Sequence, residues 1–372
     1  MTEKVRLEVL TTPSNGDGVR RQIEKTIESN RKNFDFVMKQ IPHMESAVET
    51  LQNGHGDLLA MSAHQWKDLP TQGLSIVGVL PRREPTWVLV SEDKPEYLLS
   101  KAIVVCDNVL LRRQMRRLRA DLNLMTSEAF AQHISNTHRF ESLEREDRIH
   151  WLEEMRQDEV LDGYIVSRGE HAELKFKSRR HTLGLQRENP ERTHFVPPPL
   201  HGFTLLVARN GFPSASVQIM CDNGAFIAHR MEVAFLASIE EELHPITGIF
   251  VEQRKISAIL REANRSNDEQ TLDGVLDIEK NIKTPGPRLE MRIETLNHHG
   301  TVTAGAERVC PVEESHMGMV NVLKEFQNLL EMMQMRHDEI PRQHTGLSEE
   351  FSMARPGLLD LSTIHSVSSE EE

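Results

Sequence analysis

The strongest constraint in this sequence is an alternation. Strand-like runs are separated by helix-like ones: VRLEVL, a helical period from Val19 to about Arg31, FDFVM, a helix over Met44–Gln52, DLLAMS, LSIVGVL and TWVLVS. A parallel pair of strands needs a connection long enough to cross a sheet face, so this order predicts a largely parallel sheet covered by helices. Lys94-Pro95 closes the unit. A second alternation then follows: KAIVVC, an arginine-rich helix, LNLMT, helices near Ser127–Ile134 and Glu144–Arg156, and DGYIVS.

Between about Ser178 and Pro199 the periodicity is lost and the chain reaches Pro197-Pro198-Pro199, which reads as a linker or crossover. FTLLVAR is a further apolar strand able to return to the first sheet, and a helix is expected over about Ala225–Glu242. GIFVEQ, ISAILRE, VLDIEK, RLEMRIETL and TVTAGAERV then read as strands joined by short polar turns, one of them Asn297-His298-His299-Gly300. A helix over about Glu313–Met335 follows. The Ser- and Glu-rich end cannot bury enough apolar surface to order itself and is expected to be disordered. The expected class is α/β, with lobe 1 over residues 1–96 plus 203–223, lobe 2 over 97–202, an antiparallel α+β third domain over 224–340, and an acidic tail over 341–372.

Charge and cysteine usage narrow the function classes. The 44 Lys and Arg against 57 Asp and Glu leave a formal charge of −13, a field that disfavours nucleic acid and anionic membrane as partners. No apolar run approaches the roughly 20 residues of a membrane span. The N-terminus lacks a basic segment followed by an apolar core, so a cytoplasmic location is expected. Cys106, Cys221 and Cys310 are too widely spaced for a CxxC metal site and odd in number, which fits free thiols. The histidines lack ligand spacing, so no metal is expected; His298 and His299 read as turn residues, while His201 could contribute to a cleft.

Arg112, Arg113, Arg116, Arg117 and Arg119 stand out inside this acidic chain. The first four recur at i, i+1, i+4 and i+5 and so share one side of a helix. Either they form a solvated basic face, the reading preferred for Arg116, Arg117 and Arg119, or they bind an anionic ligand, the reading preferred for Arg112 and Arg113.

The segment HQWKDLPTQGLSIVGVLPRREPTWVLVS places His64, Lys67 and Asp68 just past the carboxyl end of a strand, where open α/β sheets bind ligands. Taken alone, Lys67 beside Asp68 reads as a solvated turn pair. The segment resembles the hydroxymethylbilane synthase (porphobilinogen deaminase) family, in which a stretch like DIAVHSMKDLPT precedes GL-x-I and REDPRDALVS. LLRR at Leu110–Arg113, DGYIVS, PPPLHGFTLLVA, and MEVAFL before HPITGIF are similar to further family segments in the same order. The resemblance implies two periplasmic-binding-protein-like α/β lobes around a cleft, a small antiparallel third domain, and a monomer. It also implies a cytoplasmic transferase that condenses porphobilinogen on a dipyrromethane cofactor, with loss of ammonia, in porphyrin and heme biosynthesis. Asp68 then matches the catalytic aspartate, and Lys67, Arg112 and Arg113 match cofactor-binding residues. Arg145 and Arg148 fall about where further cofactor-binding arginines would stand.

The chain departs from that family where the cofactor is attached. Glu242 occupies the position of the anchoring cysteine, and a carboxylate cannot form the thioether. Of the N-terminal family segment only Ser14 could correspond, and the family's GQG crossover retains only Gly202. Two readings follow: a divergent synthase, or a catalytically inactive or repurposed two-lobe binding protein for a small carboxylated ligand.

Overall fold

A computed structural model describes residues 4–13, 16–187 and 193–334. The fold is mixed α/β, the class expected, with sheets flanked by helices. Its strands are β1 Val5–Thr11, β2 Phe34–Gln40, β3 Leu58–Ser62, β4 Leu74–Val79, β5 Trp87–Ser91, β6 Ile103–Val105, β7 Asn123–Met125, β8 Gly163–Ser167, β9 Arg180–Leu183, β10 Thr204–Arg209, β11 Thr247–Arg254, β12 Arg288–Leu296 and β13 Thr303–Pro311. They form three sheets, ordered β2-β1-β3-β10-β4, β7-β6-β8-β5-β9 and β11-β12-β13. By contact density the chain divides into two compact units. The first comprises residues 4–88, 166–178 and 200–230 of the described chain; the second comprises the remainder, with β5 and β8 passing from one to the other.

In the first unit β1 pairs in parallel with β2 and β3, whereas β10 runs antiparallel between β3 and β4. Helix Val19–Asn30 turns Val19, Ile23 and Ile27 inward at four-residue spacing. They pack with Leu7, Val9, Leu58, Ala60, Leu206 and Met220. Full burial of each such side chain contributes about 1.5–3 kcal/mol, so this one stripe holds the helix on the sheet.

The second unit holds the other two sheets. Trp151, 1% exposed, is boxed by Phe130 and Phe140 with ring centroids 5.6 and 5.5 Å away. The Tyr164 hydroxyl donates to Glu153 Oε2 at 2.8 Å. In the antiparallel β11-β12-β13 sheet, Leu289, Met291 and Ile293 are fully buried from solvent, and helix Ser315–Gln334 packs on β12 and β13 through Met319, Val322 and Phe326.

Several local expectations are corrected. ISAILRE and VLDIEK are not strands: helix Ile256–Ser266 buries Ile256, Ile259 and Ala263 at i, i+3 and i+7, and VLDIEK leaves a second helix, Glu269–Val275, as a turn closed by the isolated Leu276–Ile282 bridge. The linker after Ser178 contains β9. His64, Lys67 and Asp68 lie on a short helix, Ala63–Asp68, because Ser62 caps it: its hydroxyl accepts from the Gln65 N–H while the Gln65 side chain returns to the Ser62 N–H. Such reciprocal capping satisfies two donors that a helix start otherwise leaves open. Ser14, the Arg145 side chain and the acidic tail lie outside the described residues.

Candidate functional site

In the first sheet the carboxyl ends of β1, β3 and β4 and the amino end of β10 share one edge, since Thr204 pairs with Ser62 and Leu205 with Val79. Chemistry-bearing residues collect there. The Ala63–Asp68 helix supplies His64, Lys67 and Asp68, all exposed. The segment after β4 supplies Arg82 and Arg83, the segment before β10 supplies His201, and helix Asn223–Ala237 supplies His229.

The edge is tied together by its arginines. Arg82 donates through Nε and Nη2 to the His201 carbonyl at 3.0 and 2.8 Å, and its guanidinium lies 3.9 Å from the Phe203 ring centroid. The Arg83 backbone N–H bonds Gly202 O at 3.1 Å. Its side chain donates from Nε to Gln22 Oε1 at 3.1 Å and from Nη1 to the Asp17 carbonyl. Burial lowers the Arg83 pKa, against the attraction of the Asp17 and Glu173 carboxylates. Gly202 has φ +85°, and a Cβ there would sit 2.7 Å from Arg83 O, so the backbone approach depends on glycine.

The same edge carries polar atoms that the described protein does not satisfy. His229 is 3% exposed, its ring edge-on to Phe203 at 5.6 Å, and neither ring nitrogen has a hydrogen-bond partner. The hydroxyls of Thr11 and Thr204, 1% and 0% exposed, are also unpartnered. An unmade buried hydrogen bond costs about 1–3 kcal/mol, so these four atoms are candidates for polar partners that the described protein does not supply. The local field is positive. Burial, then the His64, Arg82 and Arg83 charges, pushes the His201 pKa down to about 3, and burial with Arg82 brings His229 to about 4. Both imidazoles are therefore neutral at pH 7 and can donate through one nitrogen and accept through the other.

The arginine helix, Val109–Leu118, has a different role. Arg112 and Arg113 are 5% and 3% exposed; they donate to Cys106 O and Leu296 O, each at 2.6 Å. Arg116 reaches His298 O at 3.0 Å and Arg117 reaches His194 O at 2.5 Å. Arg119 binds the carbonyls of Glu96 and Leu98 at 3.0 Å and the carboxylate of Asp121. The solvated-face reading of Arg116, Arg117 and Arg119 thus gives way to one in which the helix clasps the β12–β13 hairpin and neighbouring loops. Gly300, φ +69°, lets that hairpin turn lie against the helix backbone at Arg113 and Arg117. Arg148 donates to Leu143 O at 3.1 Å and stacks over Phe140 at 4.6 Å.

Sequence reasoning passed over Arg82, Arg83 and His229. Arg82 and Arg83 stood inside the sharpest segment of the chain, directly after a strand. His229 left one trace, an imidazole directly after the apolar run AFIA.

No protein-family model matches the sequence, and no curated protein does. Solved structures similar to the chain include YhfZ from Shigella flexneri, 14% identical, covering 62% of this chain and 96% of that one at a TM-score of 0.30. Another is a putative methionine-binding lipoprotein from Bacillus subtilis, 10% identical, with 57% and 87% covered and a TM-score of 0.30. A third is lipoprotein Tp32 from Treponema pallidum, 12% identical, with 63% and 96% covered and a TM-score of 0.32.

The expectation of a hydroxymethylbilane synthase, an enzyme of porphyrin and heme biosynthesis acting on porphobilinogen, is corrected. The chain's own residues overturn it: Arg112 and Arg113 spend donors on backbone carbonyls, and Glu242 is exposed on a tight turn, Glu241–Ile246. Cys106, Cys221 and Cys310 are free thiols in other segments, so the residues present do not fit a thioether-linked dipyrromethane. Among the described residues no group of three His, Cys, Asp or Glu is placed to hold a metal ion, and no helix is long and apolar enough to cross a membrane.

Proposed function

We propose that the chain is a binding protein for a small carboxylated ligand, received at the first sheet's edge by Arg83, His201 and His229, with Lys67 and Asp68 on the rim. The observation that carries this reading is His229: a buried imidazole with two unpartnered nitrogens, packed on the Phe203 ring that Arg82 also covers, at a sheet edge that carries two unpartnered threonine hydroxyls and Arg83. A carboxylate suits these groups because it accepts several hydrogen bonds at once and gains from the positive field. The ligand's polar substituents then meet Thr11 and Thr204.

Titration calorimetry of the full chain against a panel of amino acids and small mono- and dicarboxylates tests the reading. A saturable isotherm that weakens with salt and is lost in Arg83→Met supports it. Absence of binding by every member at millimolar concentration, or equal affinity in Arg83→Met, overturns it.

A further inference from the structure

The middle strand of the third sheet carries a second signal. Along β12, Leu289, Met291 and Ile293 face the last described helix, while the alternate positions read Arg288, Glu290, Arg292 and Glu294. This is a row of charges of alternating sign on a largely buried face. Such a row is tolerable only where each charge meets an opposite one.

Three of the four do. Glu290 takes Arg254 at 2.8 Å and Arg187 at 3.0 Å. Arg292 pairs with Glu307. Glu294 takes Arg117 at 2.8 Å and His194 at 2.7 Å. Arg288, 4% exposed, is the exception: Nη2 donates to Thr284 O at 2.7 Å, and Nη1 is buried with no partner among the described residues. The residue opposite Arg288 on β11 is Arg254, a like charge.

Arg288 also lines a cavity of about 750 Å³ beside helices Ile256–Ser266 and Glu269–Val275. That volume falls in the ~300–1,000 Å³ range of small-molecule sites. Four further cations line it: Arg254 and Arg292, both paired with carboxylates, and the exposed Lys283 and Arg308, of which Lys283 also donates to the Asp273 carbonyl; Thr271 and Gln270 are neutral polar walls. The acids of the same wall are largely engaged: Glu262 and Glu290 by Arg254, Glu307 by Arg292, and Asp268 by capping Thr271. We infer that this cavity is a binding site for a phosphate group, free or carried on a small ester, with Arg288 at its base and Lys283 and Arg308 at its mouth. A tetrahedral dianion presents oxygens in several directions at once, which suits three cations drawn from separate strands and loops.

Calorimetry and thermal unfolding of the full chain with inorganic phosphate and with glycerol 3-phosphate, against chloride at equal ionic strength, test this. A saturable isotherm and a rise in Tm specific to either phosphate are expected; the arm that binds more tightly tells the free ion from the ester. Arg288→Met should abolish the effect. Because Arg288 is buried, the exposed pair Lys283→Gln/Arg308→Gln gives a second reading, with affinity down at least about tenfold, a factor that corresponds to 1.4 kcal/mol. Arg83→Met, at the other site, should bind phosphate as the wild type does. No isotherm, an equal response to chloride, wild-type affinity in the double variant, or loss of binding in Arg83→Met overturns the assignment.

Discussion

Arg117 Nη1 lies 2.8 Å from Glu294 Oε2, joining the arginine helix to the middle strand of the third sheet. Glu294 is 3% exposed and is also held by His194 and Gln114. Removing one partner of a buried pair leaves an uncompensated charge. Arg117→Met should therefore cost about 3–5 kcal/mol, read from urea unfolding.

The same carboxylate predicts an acid limb. Burial would raise the Glu294 pKa, but the His194 hydrogen bond and the Arg117 charge outweigh it, so the folded value lies below the ordinary 4.5. A depressed carboxylate contributes stability that is present above its unfolded pKa and is lost as pH falls through its folded one. Stability measured across that interval should fall more steeply for wild type than for Glu294→Gln.

His229 predicts a separate limb of the same sign by the opposite route. The unfolded imidazole takes up a proton near 6.5, whereas the folded one does so only near 4. Stability is complete above 6.5 and declines as the pH is lowered towards 4, by up to about 1.4 kcal/mol per pH unit. His229→Leu should flatten this limb. At pH 7 the ligand-free variant should match or exceed wild-type stability, because unpartnered nitrogens have been removed, while its carboxylate affinity falls. A purely structural histidine would give the reverse pattern.

Two glycines separate backbone conformation from crowding. Gly202 and Gly211 have φ of +85° and +88°, but only at 202 would a Cβ meet backbone, the Arg83 carbonyl and Pro85; at 211 it meets open space. Gly211→Ala should carry only the left-handed penalty of about 1–2 kcal/mol. Gly202→Ala should cost more in thermal unfolding and should also weaken ligand binding by displacing Arg83.

The thiols should be silent. Burial raises Cys106 to about 12 and Cys221 to about 11, and it also raises Cys310. The thiolate is the reactive form, so native labelling at neutral pH should be slow at all three and complete only after denaturation.

Much of the fold was legible because its signals are local. Helix Met44–Gln52 has the bounds its periodicity gave, and the alternation in RLEMRIETL identified β12. ISAILRE misled because a short run rich in isoleucine fits both periods, and only packing beneath Ile259 and Ala263 decides between them. The arginine spacing was readable, but its acceptors were not: Arg113 bonds a carbonyl 183 residues away and Arg116 one 182 away. Backbone carbonyls belong to every residue and leave no mark in sequence. Likewise Arg288 looked like any charged strand residue until the partners of Glu290, Arg292 and Glu294 were known.

The place of β10 between β3 and β4 bears on how the chain is made. A ribosome releases β3 and β4 long before Thr204 emerges, and until then the strand that pairs with both is missing. Each has an open edge where β10 will lie, and open edges are where strands recruit the wrong partner. The first unit therefore cannot mature as the leading segment of a growing chain. Chains stalled before residue 204 should engage chaperones or aggregate, while those extended past residue 230 can complete the sheet.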